Sequence, residues 1–204
     1  MIKNEIIYER PDLNVEYDFV GIIDGLTDPD RQKFGITQDL TTFLLQEGLT
    51  IAKALVHSSD QLLSALDIFH ENARSGKRFM LHFVAHGNED GIQVGKDFTP
   101  WSTIRPYLQK IHVASNQTLL LNMSTCMGLH GIKIVDQNGQ YPFFGLIGAK
   151  EKLLVTDALK ANKIMYRKWL DDLPVQQLVP ETNQELGKDV LFNISSEGFR
   201  KLKL

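Results

Sequence analysis

The chain has one cysteine among its 204 residues. An internal disulfide is therefore impossible, and the multi-cysteine zinc arrays are excluded. Long apolar runs are missing too: no stretch approaches the roughly 18–20 residues of a membrane span. Neither sign of charge is in excess. The 22 Lys plus Arg and 25 Asp plus Glu leave a formal net charge of −3, which gives no electrostatic ground for a nucleic-acid or anionic-membrane partner. The stretch Met1-Ile2-Lys3-Asn4-Glu5 carries charge where a secretion signal needs an apolar run. With the lone cysteine, this predicts a reducing, cytoplasmic location. Repeats, low-complexity tracts and Pro/Gly/Ser linkers are also lacking, which predicts a single domain over residues 1–204. Hydrophobic residues at 43% suffice for one sizeable core.

What is present is an alternation of apolar runs with helical periods. Tyr17–Ile23, Leu49–Val56, Phe79–Ala85, Thr118–Met123 and Tyr141–Ile147 read as strands, and an edge strand is expected near Val190–Ile194. Between them, Ile36, Leu40, Phe43 and Leu44 share a helical face that Gly48 ends. Ser58 or Ser59 caps a helix presenting Leu62, Leu66, Phe69 and Ala73. Further helices are predicted from about Pro100 to Ile111, from a Thr156 cap to about Leu170, and briefly beyond Pro174. The stretches Asp24–Asp30 and Gly87–Gly95 read as loops. Strands apolar throughout, separated by amphipathic helices, predict an α/β fold: a mostly parallel central sheet covered on both faces. Such sheets place their chemistry beyond the carboxyl ends of the strands, near a switch in strand order.

Two strand ends carry reactive side chains. The third strand ends in Ala85-His86-Gly87-Asn88, and the fourth ends in Ser124-Thr125-Cys126-Met127-Gly128. If the strands are neighbours, His86 and Cys126 project from one rim. A thiol nucleophile needs such a base, and donors for the oxyanion that forms when it attacks a carbonyl. The backbone N–H groups of Gly87 and Cys126 are the natural donors. A buried small hydrophobe at Cys126 and a hydrogen-bonded strand-end histidine at His86 are the plainer readings of either residue alone. Their joint placement, 40 positions apart at corresponding strand ends, favours chemistry.

This pattern resembles the clan CD cysteine peptidases, which include caspases, legumains, gingipains, separases and bacterial CHAT-type proteases. The likeness rests on a hydrophobic strand ending in His86-Gly87 and a second ending in Thr125-Cys126. The run His86-Gly87-Asn88-Glu89-Asp90-Gly91-Ile92, with Trp101 downstream, is similar to CHAT-type members, and the resemblance covers roughly residues 17–170. It departs from the family at Thr125, where Ala or Ser is commoner, and in the short segment Gly128–Tyr141. That short segment implies a single-chain enzyme rather than one activated by internal cutting. The resemblance implies a caspase-like three-layer α/β/α sandwich and a cofactor-free cysteine endopeptidase acting through a thioester. It also implies a dedicated protein substrate, such as a gasdermin-like effector in a bacterial defence or cell-death system, and an activating partner protein. Within it, Asp24, Asp28 and Ser124 become substrate-pocket candidates. The loop holding Asp24, Asp28 and Asp30 would favour Arg or Lys before the cut bond, with a hydrophobic preference as rival.

Other residues read more plainly. His82 is expected to be buried and satisfied, with no metal site around it. Glu89 and Asp90 are exposed loop carboxylates that can orient His86, and His130 lines the cleft. Two other function classes remain open at this level. One is a caspase-like binding scaffold that no longer cuts; the other is a flavodoxin- or receiver-like module using Asp24, for which a phosphate-binding glycine loop is lacking.

Overall fold

The computed structural model describes residues 15–136 and 138–202. The charged amino-terminal stretch behind the location expectation lies outside them. In chain order the elements are β1 (Phe19–Asp24), α1 (Asp28–Phe34), α2 (Ile36–Gln46), β2 (Ile51–Leu55), α3 (Ser59–Arg74) and β3 (Phe79–Val84). A small antiparallel unit follows: β4 (His86–Gly87), β5 (Gly91–Val94) and β6 (Asp97–Pro100). Then come α4 (Trp101–Ala114), β7 (Leu120–Ser124), a 3₁₀ helix (Gly128–Ile134), β8 (Gly145–Gly148), α5 (Val155–Leu170), α6 (Val175–Leu186), β9 (Phe192–Ser195) and α7 (Ser196–Leu202).

The main sheet runs β2-β1-β3-β7-β8-β9, and every pairing is parallel except that of β9 with β8. This is the α/β/α sandwich expected from the apolar strands. Side chains alternate across each strand. Phe79, Leu81 and Phe83 of β3 join Leu66 and Phe69 of α3 and Leu108 and Ile111 of α4 in one core. Met80 and Val84 face the other way, onto Leu40 and Leu44 of α2, Met165 and Tyr166 of α5 and Leu178 of α6. Both faces are sealed, so the strands can be apolar without alternation.

Several local expectations need correction. The strand expected from Tyr141 begins only at Gly145. Pro142 has no N–H for a ladder, and Phe143 is apolar because it plugs the core, fully buried, rather than because it pairs. α5 starts at Val155 behind Leu154 with no side-chain cap, so Thr156 is not its cap. Ser58 does cap α3, accepting from the Gln61 N–H. The loop expected at 24–30 holds the start of α1, and the loop expected at 87–95 is largely the hairpin β4–β5. No helix among the described residues is long and apolar enough to cross a membrane.

Candidate active site

The order of the main sheet turns at β1. The chain moves to β2 on one side, and β3 then lies on the other. In an open α/β sheet the crevice forms outside the carboxyl ends of the strands at that point. The register aligns Asp24 of β1, Val84 of β3 and Ser124 of β7 laterally. His86 and Cys126 therefore each stand two residues past the same rim.

Beyond Val84 the chain leaves the main sheet and enters the small one, where His86 pairs with Gln93 and Gly87 with Ile92. This detour swings Gly87 against the turn after β7. A Cβ on Gly87 would lie 2.9 Å from the Cys126 carbonyl oxygen and 3.1 Å from the Thr125 Cβ. Only glycine permits that approach. The hairpin is pinned from behind by buried Trp101, whose indole N–H donates to the Glu89 carbonyl at 3.2 Å.

Neighbouring pairs in an antiparallel ladder alternate between bonded and non-bonded. The Asn88 N–H donates to the Gly91 carbonyl at 3.0 Å. The next pair, Gly87 with Ile92, is then of the non-bonded kind, and the Gly87 N–H points out of the ladder. The Cys126 N–H likewise has no acceptor among the described residues. Both proposed oxyanion donors are thus uncommitted.

His86, 44% exposed in its side chain, places Nε2 3.1 Å from Asp30 Oδ2. Asp30 also accepts from the Thr27 hydroxyl at 2.6 Å. These two hydrogen bonds, that from Thr27 first, hold its carboxyl below the usual range, so it is ionised at neutral pH. An ionised carboxylate only accepts. Nε2 must then carry the hydrogen, and Nδ1 is the bare nitrogen of the neutral ring. The acid that orients His86 is Asp30, 56 positions earlier, and not Glu89, which pairs with Lys133 at 3.2 Å, or Asp90.

Cys126 is half-buried. Its Sγ lies 3.4 Å from the Leu153 N–H, which donates to it, and 3.8 Å from the Leu153 carbonyl. Among the described residues no hydrogen bond joins Cys126 to His86. The next residue, Met127, has a left-handed backbone (φ 55°), and its N–H donates to the Glu151 carbonyl at 2.8 Å. The turn thereby leans on the segment after β8.

The three substrate-pocket candidates do not gather beside these residues. Asp24 is fully buried and held by Arg31, Nε to Oδ2 at 3.0 Å, while it also accepts the Leu26 N–H. Removing Arg31 would strand a buried charge, a loss of about 3–5 kcal/mol, so this pair supports the fold of the loop. Ser124 is buried as well. Its Oγ sits 2.8 Å from His82 Nε2 and accepts from Asn162 Nδ2 at 2.7 Å. Asp28 alone is exposed, at 68%, and it pairs with Arg31. With Asp24 and Asp28 on Arg31 and Asp30 on His86, the loop is not an open acidic pocket.

His82 is enclosed, as expected. Its Nδ1 lies 2.9 Å from the Tyr166 hydroxyl, and burial pushes its pKa down to about 3. The network His82–Ser124–Asn162–Asn122, with Tyr166, links β3 and β7 to α5 beneath the turn that carries Cys126. It fixes where β7 ends. His130 lines the groove beyond Cys126.

Compared with family models and with curated proteins, the chain matches none.

Proposed function

We propose that this protein is a cysteine endopeptidase in which Cys126 is the nucleophile and His86 the proton carrier. The supporting observation is the close approach of His86-Gly87 to Thr125-Cys126 beyond the carboxyl ends of the neighbouring strands β3 and β7. Two separated sequence signals meet there, with a carboxylate behind the imidazole.

On this reading the Cys126 thiol gives its proton to His86 Nδ1 while Sγ bonds to the carbonyl carbon of the scissile peptide. The Gly87 and Cys126 N–H groups hold the resulting oxyanion. His86 Nδ1–H then protonates the leaving amine as the C–N bond breaks, leaving a thioester on Cys126. Water, deprotonated by Nδ1, attacks the thioester, and the acid product leaves with the thiol restored. Asp30 keeps the ring in the required tautomer and favours the imidazolium through a charge-assisted hydrogen bond. No step uses a cofactor. The dedicated protein substrate, the gasdermin-like effector, the activating partner, the bacterial defence setting and the cytoplasmic location belong to the same proposal, on the strength of the clan CD resemblance.

One observation favours a second reading, a scaffold that binds without cutting: Sγ faces Leu153 and His86 faces Asp30, rather than each other. Catalytic hydrogen bonds often tighten only when substrate is bound. Covalent labelling of Cys126 by a peptidyl acyloxymethyl ketone, slowed in His86→Ala, separates the two. The scaffold gives no labelling.

A further inference from the structure

A cavity of about 1240 Å³ has four consecutive residues, Leu191, Phe192, Asn193 and Ile194, in its lining. Successive side chains of a strand point to opposite faces. A space that touches all of them therefore runs along the edge of β9, not over one of its faces. Among the described residues β9 pairs with β8 alone. The Ser196 N–H donates to the Phe144 carbonyl at 3.1 Å, which marks that pair as bonded. Alternation back along the ladder makes Ile194–Leu146 bonded and Asn193–Ile147 non-bonded. The N–H and C=O of Asn193 thus face the cavity.

Walls stand on both sides of this edge: Val179 of α6 on one, Ile132 of the 3₁₀ helix and Phe199 and Leu202 of α7 on the other. The near end is closed by His130 and Glu151, whose backbones are both hydrogen-bonded to Met127, the residue after the nucleophile. The volume exceeds the roughly 300–1,000 Å³ of ordinary small-molecule sites. A recessed strand edge between apolar walls fits a single added strand. It does not fit a second copy of the chain, whose own β9 edge is sunk between the same walls.

We propose that the β9 edge is a docking groove for an extended, apolar segment of the protein substrate, which adds as a strand and is thereby held beside Cys126. The word substrate rests on the peptidase reading; the docking itself does not. The groove supplies one donor and one acceptor at Asn193, and apolar surface to alternate side chains of the guest.

The test uses the Cys126→Ala protein and fluorescein-labelled, reduced and carboxymethylated α-lactalbumin, a permanently unfolded apolar chain, with binding read by anisotropy. Asn193→Pro removes the outward N–H without touching the β8 ladder, a place where an edge strand tolerates proline. Leu202→Glu, at a position 57% exposed, charges the wall without a folding cost. Each is expected to weaken binding about tenfold, while Asn193→Ala, which keeps the N–H, binds as the parent does. Unchanged binding in Asn193→Pro overturns the proposal. So does sedimentation showing that the variants instead split a dimer, since the groove would then be an interface between copies. Labelling of Cys126 is scored separately in the wild-type protein. Edge-dependent docking without labelling would sink the peptidase reading and leave the groove standing.

Discussion

Replacing Asp30 by Asn tests the geometry around His86 at one atom. The side chain keeps its size, and its remaining oxygen can still accept from Thr27, 2.6 Å away in the wild type. What is lost is the negative acceptor 3.1 Å from His86 Nε2. Thr27 and His86 reach the same oxygen, Oδ2, so an amide oxygen placed there still accepts from both, and the substitution removes the charge on the acceptor rather than the hydrogen bond. A hydrogen bond to a charged group contributes about 1.5–3 kcal/mol against about 1 for a neutral one. His86 is 44% exposed and Asp30 29%, so solvent screening reduces the difference of about 0.5–2 kcal/mol to about 0.5–1 kcal/mol. That is roughly 2- to 5-fold in rate. The assay is the second-order rate of Cys126 labelling by a peptidyl acyloxymethyl ketone, followed by intact mass. Asp28→Asn, which alters a more exposed carboxylate in the same helix, should stay within about twofold of wild type, since it contacts no reacting group. An unchanged rate in Asp30→Asn, or an equal loss in Asp28→Asn, would refute the assignment of Asp30.

Two buried histidines set the acid limit of the fold. Burial lowers His82 to about 3 and His112 to about 4, from an ordinary 6.5. Both stay neutral in the folded protein while the unfolded chain takes up protons below about 6.5, so stability present above that pH falls as the solution is acidified. Between pH 7 and 5 each should cost about 2 kcal/mol. Urea unfolding at the two pH values should therefore differ by about 4 kcal/mol, and a difference under about 1 kcal/mol would contradict the burial account. Gly87→Ala forces a methyl to within 2.9 Å of the Cys126 carbonyl. The two turns must separate, and labelling should slow at least about tenfold with only a modest loss in thermal midpoint. Labelling at the wild-type rate would mean that the two turns do not depend on their close approach.

The sheet was legible because strands buried on both faces leave continuous apolar runs, and Phe79–Val84 is the clearest of them. His86 and Cys126 were legible for a related reason: each interrupts such a run and has a glycine within two residues. Asp30 was not. Its contact with His86 spans 56 positions and exists only because β1 and β3 are neighbours. A local signal was nevertheless present. Thr27-Asp28-Pro29-Asp30 has a capping residue, a proline in the first turn and an acid three residues after the cap, the marks of a helix start. α1 buries none of its residues, so apolar periodicity could not reveal it. The same topology turns Asp24 and Ser124 away from the cleft: both sit on the rim, but their side chains point inward to Arg31 and to His82. The strand expected from Tyr141 failed because burial and sheet pairing part company there. Phe143 fills the core from a segment that joins no ladder until Gly145.

The central claim is that Cys126 and His86 form one catalytic unit. It is tested most directly by intact-protein mass spectrometry after exposure to peptidyl acyloxymethyl ketones with Arg, Lys, Asp or Leu beside the warhead, in the wild type, His86→Ala and Cys126→Ala. The account predicts a single adduct on Cys126 with at least one peptide, much slower in His86→Ala and absent in Cys126→Ala. A folded wild-type protein that takes up none of the four, or one labelled equally fast without His86, would contradict it.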